Sequence, residues 1–226
     1  DSDRRLQVRA VGSPAGGAAC PSAGNTTLAL LQGTGIVIPT LPSGGSGPGV
    51  IVVQEWWGLD SGIKEMADRL AEAGFVALAP DLYHGDLAGH TEMDRAAELM
   101  NSMPPDRAGR DMSGAVDFLA DHDATTGDGI GVVGFCMGGM LTFILAALRP
   151  DKVKAAVPFY GFPQGDNQPD YSKIEAAIQG HMAEHDDFFP PSAAMHLEEE
   201  LKALGKDVSI TVHLGTGHAF MAPHNA

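Results

Sequence analysis

From Asn25 onward the chain alternates between short apolar runs and longer amphipathic ones. The runs "GVIVVQE", "FVALAPD", "GIGVVGF", "VKAAVPFYG", "AAIQGHMA" and "DVSITVHLG" each predict a strand, most of them apolar enough to be buried on both faces. Between the first two, Asp60 or Ser61 caps a helix through "GIKEMADRLAEAG", with Ile63, Met66, Ala67 and Leu70 on one face and Gly74 at its end. "TEMDRAAELMNSM" and "DRAGRDMSGAVDFLADH" follow as helices separated by Pro104 and Pro105; "GGMLTFILAALRP" and "SAAMHLEEELKALG" are the other two. This alternation predicts an α/β fold, with a mainly parallel central sheet and helices on both faces. Ahead of it, "TTLALLQG" and "GIVIPT" predict two short strands, while the Gly-, Ala-, Ser- and Pro-rich residues 1–24 predict a loosely ordered extension. With 226 residues, 44% of them hydrophobic, the chain can bury one sizeable core, and residues 25–226 are expected to be a single domain.

In such a sheet, binding and catalytic groups belong at the carboxyl ends of the strands. That rule selects Glu55, Asp81, Cys136, Tyr160, the loop of Asp186 and the loop of His218. The sequence Gly134-Phe135-Cys136-Met137-Gly138 has the G-x-S-x-G form with sulfur in place of oxygen. Small residues on either side let a strand turn sharply into a helix, leaving the central side chain exposed on a strained backbone. Free N–H groups of the following helix, and the positive end of its dipole, would lower the thiol pKa and stabilise an oxyanion. A cysteine in this setting is either an inert buried thiol or a nucleophile. "GFCMGG" has neither the spacing nor the lysine of a phosphate-binding loop.

A nucleophile needs a base, and the base an orienting carboxylate. Asp186 or Asp187 in "HMAEHDDFFPP" and His218 in "GTGHAFMAP" follow Cys136 in the order nucleophile, acid, histidine. The aspartates could instead cap the next helix, and the histidine could be a surface loop residue. Glu55, closing the first apolar strand, would hold a neighbouring thiol protonated and could later take its proton, or it could be a structural cap.

Composition narrows the partners. Twenty-nine acidic against fourteen basic side chains leave a formal charge of −15, which repels nucleic acid and anionic membranes and suits a solvated surface. Two cysteines, Cys20 and Cys136, imply no disulfide framework and suit a reducing, cytoplasmic setting. No apolar run approaches the ~20 residues that span a bilayer. The expected partner is a small molecule, the expected state a monomer or weak homo-oligomer, and no cofactor is called for. "HMAEH" matches the H-x-x-E-H pattern of zinc hydrolases, but only on a helix, and here the prediction is a strand end. A non-enzymatic ligand-binding protein on the same fold is the remaining alternative.

Taken together, "VIVVQEWWGL", "FVALAPDLYHG", "VVGFCMGGM", "FYG", "HMAEHDDFFP" and "GTGHAFM" resemble the dienelactone hydrolase family, from about Asn25 to the end of the chain. The resemblance implies an α/β-hydrolase fold and hydrolysis of an ester or enol lactone through a cysteine acyl-enzyme. It implies Cys136 as nucleophile, Asp186 rather than Asp187 as triad acid, His218 as base and Glu55 as the carboxylate bonded to the resting thiol. The oxyanion donors would be the backbone N–H groups of Met137 and Trp56, with Trp57, His84, Tyr160 and Phe220 as substrate-binding side chains. Two departures accompany it. The arginines that hold the carboxylate of dienelactone are replaced by Gly85 and Ala222, with His84 a weaker substitute. The sequence also ends soon after His218, where the family continues into a closing helix, so either it is cut short there or that face is open.

Overall fold

The predicted apolar runs pair into one sheet. The protein is described by a computed structural model over residues 39–222. Its strands β1 (Gly47–Val53), β2 (Val76–Leu78), β3 (Thr125–Phe135), β4 (Val153–Phe159), β5 (Ala177–His185) and β6 (Val208–Gly217) lie in the order β2-β1-β3-β4-β5-β6. Every neighbouring pair of these strands is parallel. The connections carry helices α1 (Ser61–Glu72), α2 (Met93–Ser102), α3 (Pro105–Ala120), α4 (Met137–Leu148) and α5 (Pro191–Ala203). β1 leads outward to β2, whereas each later strand steps the other way, so right-handed crossovers send α1 to one face and the later helices to the opposite one. Two separate apolar clusters record this. One holds Ile63 and Ala67 of α1 against Val50, Val52 and Val133, and the other holds residues of α3, α4 and α5 against Ile51, Val132 and Ile178.

Local chemistry sets the element ends. Asp60 accepts the Ile63 N–H at 2.9 Å to cap α1, and Gly74, at φ 101°, closes it. Pro105 does not merely separate two helices: it is the first residue of α3, where its missing N–H leaves nothing unsatisfied. β2 is only three residues long, because Pro80 follows closely and the strand lies at the sheet edge. Thr40 pairs antiparallel with Ala77 on that edge. The rest of the two strands expected before β1, the extension and Cys20 lie outside the described residues. No helix among the described residues is long and apolar enough to cross a membrane.

At the opposite edge, Glu198 of α5 is buried, and its Oε1 accepts the Ile210 N–H of β6 and the Lys202 ammonium, both at 2.9 Å. Removing the carboxylate strands a buried donor, so Glu198→Ala should lose about 1–3 kcal/mol in urea unfolding, while Glu198→Gln, which still accepts, loses clearly less. Equal losses would contradict this role.

Candidate active site

The sheet order reverses direction at β1 and β3, and a crevice at the carboxyl ends of such a pair is where ligands bind. Strand register then decides which side chains meet there. Val53 pairs with Gly134, so Glu55 and Cys136, each two residues further on, emerge side by side. His185 pairs with Gly217, so Asp186 and His218, each one residue further on, are also neighbours. Their side chains meet: His218 Nδ1 lies 2.8 Å from Asp186 Oδ2. The other oxygen of Asp186 accepts the backbone N–H groups of Phe188 and Phe189, both at 3.0 Å, which fixes the buried carboxylate. Phe189 stacks on the His218 ring, and Phe188 and Tyr160 flank it.

Cys136 sits between β3 and α4 at φ 54°, ψ −117°, a left-handed conformation costly for a residue with a Cβ. The bend is possible because β3, α4 and β1 come within backbone contact. A Cβ on Gly134 would collide with the Gly138 carbonyl, and one on Gly138 with the Val53 carbonyl. Cys136 is held by its own N–H, which donates to the Phe159 carbonyl at 3.1 Å. Tyr160 and Ala219, both bordering this site, are also non-glycine residues with positive φ. Strain is therefore concentrated where three strands end.

The electrostatics differ from expectation in one respect. The thiol pKa is raised, not lowered, to about 12: burial and the Glu55 carboxylate outweigh the backbone N–H groups of Met137 and Trp56 that face the sulfur. Those two N–H groups are the ones expected to serve as oxyanion donors. Glu55 is itself pushed up from 4.5 to about 7, mainly by burial, against the hydrogen bond that Tyr160 donates to its Oε1 at 3.1 Å. Near neutral pH the resting pair is thus a neutral thiol beside a half-ionised carboxyl group.

Glu55, Cys136 and His218 open into one cavity of about 530 Å³, which Trp56 and Trp57 also line. The other sequence candidates lie elsewhere. His84 does not reach the cavity; its Nε2 faces Asp111 at 2.8 Å, because the turn at His84 (φ 56°) and Gly85 carries the ring the other way. Asp81 organises that same turn by accepting the Tyr83 N–H, at 3.1 Å, and the Gly85 N–H, at 2.6 Å. Tyr160 is buried beneath Glu55 rather than lining the cavity, and Phe220 packs against Phe159, Tyr160 and His213. Reading the sequence missed the wall that α2 supplies through Met93 and Met100, and the contributions of Met140, Phe162 and Phe189. The seven-residue spacing of Met93 and Met100 was a signal that α2 turns an apolar face toward something.

"HMAEH" lies on β5, where His181 and His185 are about 13 Å apart, four strand residues at ~3.3 Å each. They cannot grip one ion together. His181 instead faces His213 across to β6 at 3.0 Å, and no group of three or more His, Cys, Asp or Glu among the described residues could hold a metal.

A parallel sheet with this order, a cysteine on a sharp strand-to-helix bend and an Asp–His pair beyond later strands define an α/β-hydrolase. Residues 35–226 match the sequence model of the dienelactone hydrolase family, and the chain belongs to that family. It is 40% identical over 181 residues to Protein usf of Aquifex pyrophilus, covering 77% of each chain. It is 38% identical over 182 residues, covering 78% of each chain, to a protein of Aquifex aeolicus provisionally named carboxymethylenebutenolidase. The crystal structure of a protein from Klebsiella pneumoniae, provisionally named a dienelactone hydrolase, superposes with a TM-score of 0.70 at 28% identity, covering 80% of each chain.

Proposed function

We propose that the protein hydrolyses a carboxylic ester or lactone through a thioester on Cys136, with His218 as base and Asp186 as its orienting acid. The observation that carries this reading is the 2.8 Å Asp186–His218 contact beside a cavity that Cys136 and His218 share. With Nδ1 engaged by Asp186 at 2.8 Å, Nε2 is the ring nitrogen to which the proton transfers are assigned. In the first half-reaction the thiol proton passes to Glu55 or His218 as sulfur bonds to the carbonyl carbon. The N–H groups of Met137 and Trp56 then stabilise the oxyanion, and collapse breaks the C–O bond as the leaving oxygen takes a proton. In the second, His218 draws a proton from water as it attacks the thioester, and that proton returns to the departing sulfur.

A high resting thiol pKa favours this chemistry over random alkylation, since the nucleophile is liberated only when a base beside it is ionised. His218→Ala should lower ester turnover by about 10³-fold while slowing iodoacetamide modification of Cys136 far less, because Glu55 still serves the first step. Unchanged turnover in that variant would remove His218 from the mechanism.

A further inference from the structure

Resting on that reading, we propose that the cavity selects uncharged esters and lactones with an extended apolar acyl portion, and rejects acyl groups that end in a carboxylate. The walls beyond the thiol are mainly thioether and aromatic, with His90, Gln164 and Asn167 as uncharged or already paired polar positions. Met93 and Met100 face inward from α2, Met137 and Met140 from the first turn of α4, and Phe162 and Phe189 complete the surface. At about 530 Å³ the space exceeds what a two-carbon acyl group fills and falls in the range of pockets that enclose whole small ligands. Methionine is unbranched and adaptable, so this wall can close over chains of differing shape.

The cavity's polar groups are arranged against an anion. Among the described residues that line it, none is Lys or Arg. His90 faces Asp60 at 2.7 Å, so any positive charge on that ring is already matched, and His218 is similarly faced by Asp186. The amide nitrogen of Gln164 donates to the Phe188 carbonyl at 2.9 Å, which ties the rim together. Glu55 contributes negative charge at the reacting end. A substrate carboxylate entering here would lose its hydration, meet no cation and approach an acid, the costliest combination for a buried charge. An alkyl or aryl group would gain about fourfold in affinity for each methylene withdrawn from water.

The test compares three vinyl esters, whose small leaving group obliges the acyl chain to occupy the cavity: vinyl acetate, vinyl hexanoate and monovinyl adipate. The last two differ only in a terminal methyl against a terminal carboxylate. Steady-state rates, followed by acetaldehyde release, should give vinyl hexanoate a kcat/KM roughly 10²-fold above monovinyl adipate and well above vinyl acetate. Met100→Lys should raise kcat/KM for monovinyl adipate at least tenfold and lower it for vinyl hexanoate; Met93→Lys, on the more exposed end of the same helix face, provides the same test if the first variant does not fold. Equal rates for the two six-carbon esters, or no gain for the adipate in a folded lysine variant, would overturn the selectivity while leaving the hydrolase reading intact. Failure of all three esters to acylate Cys136 would instead overturn the catalytic reading, and the selectivity with it.

Discussion

Glu55→Gln should be more stable than the unaltered protein at pH 8 and equally stable near pH 4. Glu55 is 5% exposed, and its carboxyl holds its proton up to about pH 7, against 4.5 in the unfolded chain. Between those values the unfolded chain ionises while the native one stays protonated, so native stability falls as pH rises through this window and levels off above it. The loss amounts to about 3 kcal/mol, or roughly 6–12 °C in Tm for a chain of this size. Glutamine carries no charge, still accepts from Tyr160 and escapes that loss. The gain should therefore be absent below pH 4.5 and complete above pH 7; urea unfolding across this range measures it, and a gain independent of pH would contradict it. Activity should move the other way. Without a carboxylate to receive the thiol proton, acylation should slow by about 10²–10³-fold. A buried acid that costs stability is the signature expected of a group that serves chemistry rather than folding.

The second large effect is expected at the bend. Cys136→Ala should lower kcat/KM by about 10³-fold or more with every ester, since among the described residues lining the cavity there is no other thiol and no hydroxyl side chain. Cys136→Gly should be equally inactive yet more stable by about 1 kcal/mol, because glycine adopts φ 54° without steric cost. Circular dichroism would show both variants folded. Residual activity near the original level in either one would place the nucleophile elsewhere.

Much of this arrangement is legible in the amino-acid sequence. Continuous apolar runs alternating with amphipathic ones imply a covered parallel sheet, and the sheet places its chemistry at strand ends. Register explains why the strand-end rule worked for Glu55 beside Cys136 and for Asp186 beside His218: equal offsets beyond paired residues land on the same side of the sheet. What escaped depended on local turns and on three-dimensional burial. His84 follows the expected strand end, but the positive-φ turn that Asp81 organises swings it to Asp111. Tyr160 has the right position yet points beneath Glu55, since its own N–H is tied to the His181 carbonyl at 2.8 Å and its backbone is held at φ 35°. The sign of the thiol shift could not be read from the helix start alone, because burial and a neighbouring carboxylate oppose the dipole and win. The methionine wall was invisible for a related reason: periodicity identifies an apolar helix face but not whether it meets the core or an open cavity.

The central claim is that acyl transfer runs through the sulfur of Cys136 and is released by His218. Intact-protein mass spectrometry after mixing with vinyl hexanoate tests it most directly. The His218→Ala variant should accumulate a single hexanoyl adduct that peptide mapping places on Cys136, the unaltered protein should show that adduct only transiently, and His218→Ala combined with Cys136→Ala should show none. Efficient turnover with no adduct in any of these proteins, or an adduct that survives removal of the thiol, would contradict the account.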